Sequence, residues 1–348
     1  MSPPDMTRRQ FGKTAMAAAF LAWNSLQAEV FVQTMTGPVP VGRLGTTLMH
    51  EHVLYGVIPD QLRDVSVQLA VELLREAGAA GIRTIVDLTP TRDIALYQQI
   101  ARQVPVQIIA STGSYVFERT PAYLQQMNEE QMYERIVREV TEGIDGTKVR
   151  AGIIKVAGVR PELTPWEQTA FRAAARAQRH MGTPIGTHAI FGAREQFDLL
   201  TRSGADPSRC FFSHIEASFA KKHQTREQLS EYLIAIAREG GSLLFNNFGF
   251  EFDTPWEDLV FLMRSLCEKG YSHKVFASVD CNWEWTEGRQ VFEQEANHPA
   301  TARRSYAYMM LEAVPELRQA GFSAADIHTF LVENPARFFR NAAPGEIV

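Results

Sequence analysis

Short apolar runs alternate with amphipathic stretches along most of this chain. Residues 82–88, 106–110, 149–156, 184–188, 210–214, 242–245 and 274–280 read as short strands. Between and after them, segments 65–79, 93–103, 129–142, 165–180, 194–203, 230–239 and 259–269 have helical spacing or caps. Val67, Val71 and Leu74 mark one face of the first helix, which Gly78 and Gly81 close, and Thr164-Pro165 supplies a cap and first residue for the fourth. With the run ending at His52, the pattern gives eight strands, each followed by a helical segment, and no Pro/Ser-rich linker. That order predicts an α/β fold, a single (β/α)8 TIM barrel. A doubly wound open sheet is the runner-up, but no G-x-G-x-x-G follows the first strand. Two further helices are expected over 302–311 and 323–339, and 31–43 reads as an extended leader with a turn at Gly37-Pro38.

Length and composition agree with this reading. At 348 residues and 45% hydrophobic, the chain is near the limit for one domain unless it forms an α/β barrel. A net charge of -5 and the lack of a basic stripe argue against nucleic acid as a partner. Cys210, Cys267 and Cys281 have no CxxC spacing, which argues against a disulfide framework. The first 28 residues stand apart. Arg8-Arg9-Gln10-Phe11-Gly12-Lys13 precedes an apolar stretch (14–23) too short to span a bilayer, then small and polar residues ending at Ala28. This resembles a bacterial twin-arginine signal. It leads us to expect residues 29–348 as the mature domain, periplasmic or secreted, without a stable membrane anchor.

Candidate chemistry collects at the strand ends. In an extended strand His50 and His52 share a face and Glu51 takes the other. His-x-His alone is a weak metal signal. Yet Lys155, His188, His214 and Asp280 also end predicted strands, and reacting groups of a parallel barrel sit there. Four imidazoles and a carboxylate suit zinc or a similar first-row divalent ion. Lys155 is the odd member, because an ammonium repels cations; from the residues alone it snorkels to solvent. Trp256, Trp283 and Trp285 fall on loops after the last two strands, where they either wall a substrate site or pack the loops down. Cys281 is expected to point away from Asp280, and His180, His223, His273, His298 and His328 read as surface or supporting residues.

His50-x-His52, the segment Arg150–Ala157 around Lys155, then His188, His214 and Asp280 resemble the phosphotriesterase family of the amidohydrolase superfamily, including its lactonases. Gly270-Tyr271-Ser272 and the closing stretch 332–339 extend the likeness over residues 37–339. The resemblance implies two divalent metal ions, zinc first and cobalt, manganese or iron as alternatives. It also implies a Lys155 carboxylated on its side-chain nitrogen, which turns a repelled cation into a bridging anion. By the same likeness His50, His52 and Asp280 hold one metal and His188 and His214 the other. Asp280 accepts the proton as a metal-bridging hydroxide attacks a lactone, a carboxylic ester or, promiscuously, a phosphotriester. Tyr115 matches a tyrosine that lactonases place over the metals, and a homodimer is the usual assembly. The alternatives are a true phosphotriesterase and a non-catalytic periplasmic binding protein with a relic metal site. Two departures encourage the latter: Ala217 (after Glu216) stands where an acidic proton relay is common, and Asn246-Asn247 stands where Asp-Arg or Asp-His is common.

Overall fold

A computed structural model describes residues 29–54, 58–217, 225–249, 254–286, 289–292 and 304–340. The export signal expected over 1–28 lies outside the described residues, as do His223 and His298. Eight strands form one parallel sheet in chain order: β3 (Thr47–Glu51), β4 (Thr84–Asp87), β5 (Gln107–Gly113), β6 (Ile153–Ala157), β7 (Ile185–His188), β8 (Cys210–Ser213), β9 (Ser242–Phe245) and β10 (Val275–Ala277). Helices lie between the strands, and the sheet curls into the nearly closed (β/α)8 barrel that the alternation predicts. Among the described residues no helix is long and apolar enough to cross a membrane.

Alternation along each strand divides the core in two. Leu48, Ile85, Ile108, Ile154, Ile185, Phe212, Leu243 and Val275 pack outward with the helices. Met49, Val86, Ile109, Ile153, Phe211, Leu244 and Phe276 fill the barrel interior. Gly186 belongs to that interior, since a Cβ there would lie 2.4 Å from the Phe211 ring. At the N-terminal ends of the strands the interior is plugged by Val32, Val41 and Leu44 together with Phe338 and Phe339.

Four sequence expectations are corrected. The leader is a hairpin, β1 (Phe31–Thr34) paired with β2 (Gly37–Pro40), and it turns at Met35-Thr36 rather than Gly37-Pro38. The Thr34 hydroxyl makes that turn by donating to the Gly37 carbonyl and accepting from the Thr36 amide. β10 stops at Ala277, not Asp280. The first closing helical stretch runs over Met309–Gln319 instead of 302–311, as one π turn (Met309–Ala313) followed by an α segment with Pro315 near its start. A π turn before a proline suits a residue that has no amide to donate. Finally, β3 is not evenly alternating: its pairing with β4 slips by one residue between Leu48 and Glu51. This bulge lets Met49 fill the interior while His50 next to it turns toward the mouth.

The helix Pro165–Met181 shows how locally some of this is encoded. Thr164 and Glu167 form a reciprocal capping box, Pro165 begins the first turn, and Gly182 ends the helix in a left-handed conformation. Thr164→Ala should cost about 1 kcal/mol of stability, seen as a lower urea midpoint, and leave metal binding and catalysis unchanged.

Candidate metal centre

The residues singled out at the strand ends meet at the C-terminal mouth of the barrel. Asp280 is the hub. Its Oδ1 lies 3.5 Å from His50 Nε2 and 3.3 Å from His52 Nε2, and its Oδ2 lies 3.4 Å from His214 Nε2. Lys155 is fully buried below them, with its Nζ 3.4 Å from His50 Nε2. His188 joins from β7, its ring 4.0 Å from that of His214, and Tyr115 sits against His188 at 5.3 Å. His50, His214 and Asp280 present ligand atoms all within 4.8 Å of one another.

Backbone strain marks the same place. His214 and Asp280 both adopt left-handed φ, 60° and 53°, which β-carbon residues rarely do. His214 does so directly after β8 and Asp280 three residues beyond β10, and in each the twist redirects the side chain. Gly113, at φ 103°, is needed for a different reason: a Cβ there would lie 2.1 Å from the Lys155 carbonyl oxygen. The end of β5 can therefore pass against Lys155 only as glycine.

Partners outside the six hold them in position. His52 Nδ1 lies 2.7 Å from the Thr89 hydroxyl, which leaves Nε2 directed at Asp280. The Asp87 carboxylate accepts from the amides of Thr89 and Val53 and from the Tyr97 hydroxyl, bracing that loop. Asn246 accepts the His214 amide through Oδ1 and places Nδ2 2.9 Å from His214 Nδ1. Buried Arg304 donates to the Asn246 carbonyl. Glu216 is committed to the backbone, accepting from the amides of Asn246 and Asn247 at 2.6 and 2.7 Å. The two departures at positions 216–217 and 246–247 are thus joined in one brace behind His214. Thr89, Asp87 and Arg304 carry no local sequence signal, because each acts on a partner in another segment.

The electrostatics favour a cation. Burial holds His50 and His188 well below the ordinary imidazole value, with Lys155 adding to the effect on His50 and His214 to that on His188. Burial likewise brings His214 down to about 4, so these rings are neutral at pH 7 with lone pairs to offer. For Asp280, burial raises the carboxyl, but the neighbouring His50 and His214 outweigh it and hold it well below its ordinary value. Burial lowers the Lys155 amine from 10.5 to about 7. Asp280 Oδ1 and His214 Nε2 are buried without a hydrogen-bond partner, a costly state that a bound cation would relieve. Imidazole nitrogen and carboxylate oxygen suit zinc and its first-row neighbours.

Two of the three tryptophans considered as a substrate wall are packed inward. Trp283 is buried in the outer core, and Trp256 packs against it beside Phe248. The side chain of Trp285 lies outside the described residues. Cys281 is buried, and burial raises its thiol well above the ordinary value, as expected of a residue that is no nucleophile.

Comparison with known proteins follows the same lines. The model of the phosphotriesterase family matches residues 30–339. The phosphotriesterase homology protein of Mycobacterium tuberculosis is 31% identical over 333 residues, covering 88% of this chain and 97% of the relative. The N-acetyltaurine hydrolase of Xenopus tropicalis is 26% identical, with 88% and 97% covered. Among solved structures, a mutant of organophosphorus hydrolase from Deinococcus radiodurans superposes with a TM-score of 0.79 at 33% identity, covering 90% of this chain and 98% of that one.

Proposed function

The chain belongs to the phosphotriesterase family of hydrolases, and from that premise we propose that it is a binuclear metal-dependent hydrolase of ester bonds. Lactones or carboxylic esters are the proposed substrates, with phosphotriesters turned over promiscuously. The observation that carries the reading is the convergence of His50, His52, His188 and His214 around an Asp280 whose Oδ1 has no hydrogen-bond partner. His50, His52 and Asp280 would hold one cation and His188 and His214 the other, with Lys155, carboxylated on Nζ, spanning both. When bound, such a pair of cations activates water near neutral pH and polarises the scissile bond.

The side chains supply the rest. The ionised Asp280 carboxylate takes the proton that the attacking water gives up. Lys155 with an amine value near 7 is partly neutral at physiological pH, and only the neutral amine can add carbon dioxide. Tyr115, set over the His188 ring, positions the substrate at the mouth. The brace through Asn246, Glu216 and Arg304 keeps His214 in place, with Glu216 Oε1 taken up by the amides of Asn246 and Asn247, and Asp280 passes the proton to solvent. We further place the protein outside the cytoplasm, on the strength of the Arg8-Arg9 segment, and as a homodimer.

The test is a substrate panel run on chelated protein and again after adding zinc, cobalt or manganese. It should contain lactones, aryl carboxylic esters, an aryl phosphotriester and an N-acyl amide, the last because one relative is named for amide hydrolysis. Activity is expected only with metal, and highest on the lactones or carboxylic esters. Preference for the phosphotriester would make the protein a true phosphotriesterase. Metal-replete protein inert to the whole panel would leave only the binding-protein reading.

A further inference from the structure

The barrel is closed by a side chain where the backbone ladder gives out. β3 and β10 flank the seam, yet β10 ends at Ala277, and across the seam the chain beyond it meets β3 through backbone bonds from Asp280 N–H to the His50 carbonyl and from His52 N–H to the Cys281 carbonyl. Glu51 fills the gap. Fully buried, its carboxylate accepts from the Ser278 hydroxyl at 2.7 Å and the Val279 amide at 2.9 Å through Oε1, and from the Cys281 amide at 2.7 Å through Oε2. The two amides it grips are those on either side of Asp280, the residue held in the left-handed conformation. His50 in the same strand and His52 directly after it point at the Asp280 carboxylate.

We propose that Glu51 is a positioning residue: by gripping the amides flanking Asp280 it holds that carboxylate against His50 and His52, so that three ligands from opposite ends of the chain form one preorganised site. This rests on the metal-dependent reading above. A carboxylate is required because the two amides pointing at Glu51 are donors, one at each oxygen, and only an acceptor at both oxygens can meet them. Glutamine is the same size but sets a donor against one of the amides, which is then buried unpaired. Freed from that grip, Asp280 can relax out of its left-handed conformation and swing its oxygens away from the imidazoles.

The experiment measures metal affinity by competition with a chromogenic chelator, and metal content, on wild type, Glu51→Gln and Glu51→Asp; the last keeps the charge but draws the acceptors back by one methylene. Divalent affinity should fall about 10–100-fold in Glu51→Gln, and the metal-saturated variant should lose kcat with little change in KM. If Glu51→Gln fails to fold, Glu51→Asp decides, with a fall in affinity in the same direction. A Glu51 that merely staples the fold predicts something else: whichever variant folds binds both metals as wild type does and loses only thermal stability. That result overturns the inference while the metal-replete wild type upholds the functional reading. Wild-type chain that takes up no divalent cation overturns both.

Discussion

Lys155→Ala should reduce the metal content from two ions per chain toward one or none, and lower kcat/KM by more than about 100-fold, beyond the usual loss for an outer-shell partner. Lys155 lies on the interior face of β6, fully buried, 3.4 Å from His50 Nε2 and roofed by the glycine end of β5. A plain ammonium there would oppose both cations, whereas its carboxylated form offers two oxygens of the right sign. Native mass spectrometry of the metal-loaded wild type should accordingly find one added carbon dioxide, absent from Lys155→Ala. Two metals and full activity in the alanine variant would refute this role. The metal-free protein offers a pH check. Its folded-state amine sits near 7 against 10.5 when exposed, so the unfolded chain binds more protons between those values. Stability of the apo protein should therefore rise with pH across that window, and Lys155→Ala should lose this contribution.

Asp280→Asn is the second severe change, with an expected fall in kcat of about 10²–10⁴-fold and weaker metal retention. Asparagine is the informative replacement because it tolerates the left-handed backbone at φ 53° better than other residues do. Shape and conformation are then kept, while the proton acceptor and one negative charge are lost. Thermal unfolding of the metal-free variant near that of wild type, beside a collapse in kcat on the best ester, is the expected pair of results. An unchanged kcat would remove Asp280 from the proton transfer.

Local pattern made most of this architecture readable. Strands such as β7 and β9 are short apolar runs between caps and turns, and His188 ends its run as the barrel rule requires. The convergence of the strand-end residues follows from topology once the alternation of strand and helix is recognised. What escaped reading depends on partners far along the chain. Plain alternation would put Leu48, His50 and His52 on one face, but the bulge against β4 places Leu48 outward with the helices. Nothing around Ala277 announces that the strand stops there, because the groups that redirect it belong to Glu51, 227 to 230 positions away. Trp283 read either as a substrate wall or as loop packing, and its burial in the outer core decides for packing. The amides at 246 and 247 read as losses, yet Asn246 supports His214 from behind.

The plug of the interior has a consequence for biosynthesis. Phe338 and Phe339, nearly the last residues described, complete a cluster whose other members come from the leader hairpin and the strands. Until Phe338 and Phe339 have docked, the hollow of the cylinder has no floor, and its aromatic lining is open to water. Closure needs both the leader and the stretch around Phe338 and Phe339, so folding here is dominated by contacts between distant segments. Translation stalled or truncated before Phe338 should leave a chaperone client rather than a smaller working enzyme.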